Sequence, residues 1–288
     1  MTLSTPEPDD TRARNERPGQ GIDTTVAHPA RRYNYWLGGK DHFAADRASG
    51  DAIAAIFPHI RAAAVENRGF LDRTVRFLAA EYGIRQYLDI GTGLPAADNT
   101  HQIAQRIHSD ARIVYVDNDP MVLAHARALL VGDPPGRTAY LQADLRRPEQ
   151  ILTSGEITST LDLTQPVAVL LVAVLHFLPD DELAYSAVKT LMDAVPVGSY
   201  LVVSHATTDL LVPDIAARFA QLPSGGGDFT ARTHDQVLQF FDRLELIEPG
   251  LLSVSNWRRD HDDPPPPPEQ VCLWGGVARK PPPELGRP

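Results

Sequence analysis

Cysteine is almost absent from this 288-residue chain: Cys272 stands alone, which excludes an intrachain disulfide and a cysteine-based zinc site. No metal site is expected. Lysine is nearly as scarce, at Lys40, Lys189 and Lys280, so arginine carries most of the positive charge. The 27 Lys and Arg stand against 37 Asp and Glu, a net charge of −10, and no basic run breaks that balance. A nucleic-acid partner is therefore not expected. No apolar stretch reaches membrane-spanning length, and the amino end has no hydrophobic signal core. The expectation is a soluble, cytoplasmic protein without a membrane partner. What the chain does have is 43% hydrophobic residues, enough to fill one large domain or a domain with a cap.

The rest is organised around Gln86-Tyr-Leu-Asp-Ile-Gly-Thr-Gly93. Leu88 and Ile90 alternate with Tyr87 and Asp89, the period of a short strand. Gly91 and Gly93 allow a turn closed to other residues and let a ligand lie on the main chain. A helix is expected after the turn, with Ala97, Ile103, Ala104 and Ile107 on one side. Strand, glycine turn and helix make a nucleotide-type site at the carboxyl edge of a parallel sheet. Gly91-x-Gly93-x-x-Ala96 also spells the dinucleotide fingerprint, so an NAD-dependent oxidoreductase is one alternative. Against it, Asp89 places negative charge beside the pocket, and Pro95 offers no N–H to a phosphate. A carboxylate there suits a cationic ligand such as S-adenosylmethionine, which carries an ammonium and a sulfonium.

Residues 1–26 hold almost no large apolar side chains and are expected to be a disordered tail, as are 281–288. The segment 27–85 is expected to form a lid and helices packed on the main domain. At its start, Tyr33, Tyr35, Trp36 and Phe43 are interleaved with Arg31, Arg32, Lys40, Asp41 and His42 around Gly38-Gly39. Two readings stand: a hinged lid over a ligand, or an aromatic packing segment whose charges stay in water. Phe43 to Phe57 reads as a helix, and so does the stretch from Glu66 to Gly83, with Asn67 and Arg68 in its first turn.

Further along, Ile113–Val116 reads as a strand ending at Asp117, an acid placed to accept hydrogen bonds from ribose hydroxyls. Asp119-Pro120 opens the next helix, which is expected to end near Gly132. Tyr140–Ala143 reads as a third strand ending at Asp144 and Leu145, an acid for an adenine amino group and a side chain to flank the ring; Asp144 as a plain turn cap is the alternative. Residues 153–165, rich in Ser and Thr, read as a loop. Val167–Leu175 is an apolar run of the kind buried on both faces. Ser199–Ser204 reads as a fifth strand. His176 and His205 then lie just past two strand ends, at the ligand edge, and are the candidate bases. Leu210 to Leu222 is amphipathic, Pro223 to Gly227 is a glycine loop, and Thr233-x-x-Gln236 is a capping box. Leu244-Glu-Leu-Ile and Leu251-Leu-Ser-Val lead into Trp257, and Val271–Ala278 reads as the last strand, so the two final strands of the domain at 86–280 are joined by a long, stiff excursion with prolines at 264–268.

Asp89-Ile-Gly-Thr-Gly93, Asp117 and Asp144 at successive strand ends, and a closing pair of strands resemble the class I S-adenosylmethionine-dependent methyltransferases. Nearly everything from His28 is similar, more narrowly, to an actinobacterial family of S-adenosyl methyltransferases long catalogued as a domain of unknown function. The residues that carry this are Arg32-Tyr-Asn-Tyr-Trp-Leu-Gly-Gly-Lys-Asp-His-Phe43, Glu66-Asn-Arg-x-Phe-Leu71 and Leu88-Asp-Ile-Gly-Thr-Gly-Leu-Pro95. The resemblance implies an α/β fold, a Rossmann-like seven-stranded sheet with one antiparallel strand and an N-terminal helical extension. It implies S-adenosylmethionine at the glycine turn: Asp89, Gly91, Thr92 and Gly93 at the methionine end, Asp117 and Asn118 at the ribose, Asp144 and Leu145 at the adenine. Met121 packs on the adenine face, and Arg68 is a candidate partner for the methionine carboxylate. No acceptor comes with the family.

Methyl transfer needs alignment more than chemistry from the protein, and a base helps when the acceptor is a hydroxyl or an amine. The expected function is methylation of a small-molecule acceptor, with Tyr33, Tyr35, Trp36, Lys40, Asp41 and His42 on the substrate side. The alternative from another class is a non-catalytic S-adenosylmethionine-binding sensor, in which residues 28–43 contact a protein partner. Oligomeric state is not predicted.

Overall fold

A computed structural model describes residues 22–96, 98–129, 137–220, 229–260 and 264–283. Ala97, Leu222, Gly132, the glycine loop at 223–227 and most of the two expected tails lie outside the described residues. In chain order the helices are α1 (Pro29–Trp36), α2 (Ala44–Ile56), α3 (Ile60–Tyr82), α4 (Thr100–Ile107), α5 (Pro120–Leu129), α6 (Pro148–Leu152), α7 (Gly155–Thr160), α8 (Asp181–Ala194), α9 (Pro213–Ala220) and α10 (His234–Leu238). The strands are β1 (Gln86–Ile90), β2 (Arg112–Asp117), β3 (Arg137–Gln142), β4 (Ala168–Val172), β5 (Tyr200–Ala206), β6 (Glu245–Leu246), β7 (Leu252–Ser253) and β8 (Leu273–Arg279). None of the described helices is long and apolar enough to cross a membrane.

The sheet runs β3-β2-β1-β4-β5-β8-β6, with β1 to β5 parallel and β8 reversed. It has one piece more than the seven expected. β6 and β7 both pair with β8, through Leu246↔Ala278 and Leu252↔Gly275, so five residues bulge opposite two. The eighth strand is thus the sixth, interrupted by the turn at Glu248-Pro249-Gly250.

Side-chain alternation sorts the core into two halves. Leu88, Val114, Val169, Leu201 and Val203 face Ile151 of α6, Ile157 of α7, and Ala187 and Leu191 of α8. Tyr87, Ile113, Leu170 and Val202 face Phe70, Val75 and Leu78 of α3 and Ile103 of α4. Near the reversed end the halves nearly meet. A Cβ on Gly275 would lie 2.7 Å from Val254 and 3.0 Å from Phe70; one on Gly276 would lie 3.2 Å from Phe241.

Four expectations need correction. α3 begins at Ile60, so Asn67 and Arg68 lie inside the helix rather than in its first turn. Residues 155–160 form α7, started by the Ser154 hydroxyl accepting from Ile157 N at 3.3 Å; a local cap outweighed the Ser/Thr composition. The apolar run from Val167 leaves the sheet at Ala173, whose φ of +56° ends β4, and Leu175–Phe177 is a 3₁₀ turn. β5 continues through His205 to Ala206, paired with Trp274 and Leu273 of β8, so His205 is inside a strand. The Thr233 capping box is present as read.

Candidate functional site

The carboxyl ends of β1 to β5 open into one cavity of about 1120 Å³, roofed by α1 and α2 and walled by α3. α1 starts where Pro29 can occupy the first turn and the His28 ring accepts from Ala30 N. It is pinned at its amino end. Arg31 Nε and His28 Nδ1 lie 3.3 and 3.2 Å from Asp119 Oδ2, at the junction of β2 and α5. Asp46 of α2 accepts from the backbone N–H groups of His28 and Phe43, at 2.9 and 2.8 Å. Arg31 and Arg32 are therefore buried, not in water as the packing alternative expected. A polar relay pins the roof to the sheet further along. Ala173 N donates to Ser204 Oγ (2.9 Å), Ser204 Oγ donates to Asn67 Oδ1 (2.6 Å), Asn67 Nδ2 donates to Tyr33 Oη (3.0 Å), and Tyr33 Oη donates to Ala64 O (3.0 Å).

At the β1–β3 side the cavity is lined by Arg68, Asp89, Gly91, Thr92, Gly93, Asp117, Asn118, Asp144 and Leu145. Gly91 has φ +74° and donates to Val116 O at 2.7 Å; a Cβ there would strike Val174 at 2.4 Å. Asp89 is 5% exposed and accepts from the Thr100 hydroxyl at 2.6 Å. Burial pushes its carboxyl up to about 6, against the opposing pull of Thr100 and of the Arg68 charge. Asp117 is also raised by burial; its two oxygens accept from Gly93 N and Asp119 N, at 2.8 and 2.9 Å, which fixes its orientation. Burial raises Asp144 too, but Arg146 outweighs it with hydrogen bonds of 3.0 Å from Nε and holds the group below its ordinary value. Arg68 donates to Asp98 O at 3.0 Å. Two buried carboxylates that ionise at a cost are relieved by a ligand that brings positive charge. The bare glycine backbone and the oriented Asp117 add contacts for a nucleoside. These residues fit S-adenosylmethionine.

Met121 is not brought to the cavity; it packs with Leu94 and Val122 behind it. At the β4–β5 side, Arg32, Tyr33, Trp36, Phe57, His176, Thr207 and Phe229 line the space. Tyr35, Lys40, Asp41 and His42 are not among the lining residues. Tyr35 donates to Asp51 and lies under Arg61; His42 meets the Tyr35 ring edge; Lys40 is exposed; Asp41 lies 3.6 Å from His125. Gly38 and Gly39 close α1 in a tight turn, their N–H groups donating to Tyr35 O and Asn34 O.

The two histidines part company. His205 is fully buried and does not line the cavity. Its Nδ1 donates to Ala206 O at 2.8 Å and its Nε2 accepts from Arg232 Nη1 at 2.9 Å. Burial pushes it down to about 4, so the ring is neutral, and its one lone pair is already taken by Arg232 rather than open to an acceptor. Arg232, missed in the sequence, also donates to Leu175 O, Leu178 O and Asp181, and so holds the turn after β4. His176 sits on that turn and does line the cavity. Burial, then the charges of His205, Arg232 and Arg32, keep its ring well below the ordinary value and neutral. Its Nδ1 accepts from Ala206 N at 3.5 Å, which leaves Nε2–H as a donor.

A parallel Rossmann-like sheet with one reversed strand, and acids closing three successive strands around a glycine turn, define the architecture of S-adenosylmethionine-dependent methyltransferases. The chain belongs to the S-adenosyl methyltransferase family, whose family model matches residues 15–281. It is similar to a DUF574 family protein of Streptomyces avermitilis: 43% identity, 91% of this chain, 100% of that one, TM-score 0.85. A protein of Thermobifida fusca provisionally named a methyltransferase is 39% identical over 92% of this chain and 99% of its own, TM-score 0.84. The magnesium protoporphyrin IX methyltransferase of Synechocystis, solved with S-adenosylhomocysteine, shares the fold at 14% identity over 86% and 93% of the two chains, TM-score 0.51. No curated protein matches. Family membership makes the cofactor S-adenosylmethionine rather than a dinucleotide.

Proposed function

We propose that the protein transfers a methyl group from S-adenosylmethionine to a small-molecule acceptor bound under α1. The observation that carries this is the continuous cavity of about 1120 Å³ that both groups of lining residues share. It exceeds the ~300–1,000 Å³ usual for one ligand, so room remains beside a cofactor. When bound, S-adenosylmethionine supplies a methyl carbon already activated by its sulfonium. The chain's own residues then bind and align. Asp89 and the Gly91–Gly93 backbone take the methionine end, with Arg68 toward its carboxylate. Asp117 and Asn118 take the ribose, and Asp144 and Leu145 the adenine. Tyr33 and Trp36, on the helix that opens residues 27–85, close the acceptor side and exclude water. His176 acts as a neutral hydrogen-bond donor that orients the acceptor, since most of the acceleration available here comes from alignment.

Calorimetry with S-adenosylmethionine and S-adenosylhomocysteine tests the first half of this proposal. Transfer of a labelled methyl group into the small-molecule fraction of a cell extract tests the second. Absence of binding refutes the proposal. Binding with no transfer to any extract component favours the non-catalytic sensor instead.

A further inference from the structure

We propose that the methyl acceptor is an aromatic compound with a lone pair on oxygen or nitrogen, its ring seated against Phe229 and that lone pair facing His176. This rests on the methyltransferase reading above and adds the class of substrate. The two ends of the cavity are built from different chemistry. Among the described lining residues the acids are Asp89, Asp117 and Asp144, at the ends of β1 and β2 and just past β3. Toward β4 and β5 the lining is rich in rings instead: Tyr33, Trp36, Phe57, His176, Phe177 and Phe229.

The polar tips of the rings on α1 are spent on the protein. Trp36 Nε1 donates to Gly50 O at 3.3 Å, and Tyr33 Oη donates to Ala64 O while accepting from Asn67. Both therefore meet a ligand with carbon surface. Arg32, on the same helix, donates to Ser49 and lies in the field of Asp46, so it asks for no charged partner from the acceptor. Phe229 is held on the other side. Thr230 N donates to His176 O at 2.7 Å, and the Phe229 ring lies 5.1 Å from that of His176 and 6.4 Å from that of Phe177. It is nevertheless 46% exposed. A phenyl ring left half open on a cavity wall is apolar surface that the fold does not cover, and a second ring, stacked or edge-on, gains more there than an aliphatic body of equal size. Beside it, His176 accepts from Ala206 N at Nδ1 and keeps Nε2–H for a ligand. A bare hydrocarbon leaves that donor unpaired; an oxygen or nitrogen lone pair on the acceptor satisfies it and fixes the ring's orientation.

Matched pairs of probes test this in the presence of saturating S-adenosylhomocysteine. For the ring, 2-naphthol is set against decahydro-2-naphthol and acetophenone against cyclohexyl methyl ketone; for the lone pair, acetophenone is set against ethylbenzene. Calorimetry on the full chain is expected to show each aromatic compound binding about 3- to 10-fold more tightly than its saturated partner. Acetophenone should bind about 3- to 10-fold more tightly than ethylbenzene. Phe229→Leu is expected to remove the first preference and keep the second; His176→Phe is expected to do the reverse. S-Adenosylhomocysteine affinity, measured first for each variant, reports that the fold and the cofactor end are intact. If it fails in the wild type, the methyltransferase reading falls and takes the acceptor class with it. If it holds while no probe binds, or saturated partners bind as well as aromatic ones, or Phe229→Leu keeps the aromatic preference, the acceptor class alone is wrong. Should His176→Phe lose S-adenosylhomocysteine, the wild-type pairs and Phe229→Leu still decide.

Discussion

Asp89→Asn is expected to make the unliganded protein more stable at neutral pH while weakening its hold on S-adenosylmethionine. The side chain is 5% exposed, and burial lifts its carboxyl from 3.8 to about 6. A raised carboxylate contributes stability that is full below 3.8 and is lost as pH rises through 6, because the native state holds the proton that the unfolded chain releases. A shift of roughly 2 units corresponds to about 3 kcal/mol, about half of it lost by pH 5 and nearly all by pH 7. Asparagine keeps the shape and can still accept from the Thr100 hydroxyl but never ionises, so it escapes this loss. The stability difference between variant and wild type should therefore grow by about 1.5 kcal/mol from pH 5 to pH 7.5, a few degrees in melting temperature. Urea denaturation at a series of pH values, without ligand, measures it. At pH 7.5 the variant should bind S-adenosylmethionine about 10- to 100-fold more weakly, since a buried carboxylate facing a cation has been removed. A difference that stays flat across this pH range would refute the account of Asp89 as a strained, ligand-awaiting charge. So would a variant that binds the cofactor as well as the wild type does.

Gly91→Ala should destabilise by about 2–3 kcal/mol in thermal unfolding and impair cofactor binding, because positive φ and the 2.4 Å approach to Val174 act together. Gly93→Ala, at φ +68° with nothing within 4 Å of its Cβ, should cost only about 1–2 kcal/mol; equal effects would count against the steric explanation. Arg232→Met removes a buried cation from Asp181, His205 and two carbonyls and should cost about 3–5 kcal/mol in urea denaturation. Asn67→Leu takes away the acceptor of the buried Ser204 hydroxyl and the donor to Tyr33 Oη and should lower stability by about 2 kcal/mol. It should also speed amide exchange across α1, a change that a purely local defect in α3 does not produce.

The cofactor side was legible because its signals are local. A strand of period two, a glycine that must turn, and an acid at a strand end can each be read within a few residues, as at Asp89, Asp117 and Asp144. The acceptor side depends on contacts distant in sequence. Nothing near Arg32 marks it as buried; its surroundings come from α2 and from the turn after β4, and Arg31 answers to Asp119. His205 was misplaced by a strand end two residues further on, and in a strand those two residues decide what a side chain faces. Tyr35 and His42 looked like ligand residues by composition, but Tyr35, on α1, turns toward Asp51, and His42, past the end of that helix, meets Gly39 O instead. Ser204 gave no signal, since its importance lies in a partner 137 residues away.

The paired glycines of the last strand bear on the ligand without approaching it. Phe70, which leans into the notch left by Gly275, sits one helical turn after Asn67. A side chain at 275 would press on Val254 and then on that ring, which stands on the same helix as the amide that links Tyr33 to Ser204. The seating of the polar groups above the cavity is thus governed, at long range, by how thin the sheet is on its reversed strand.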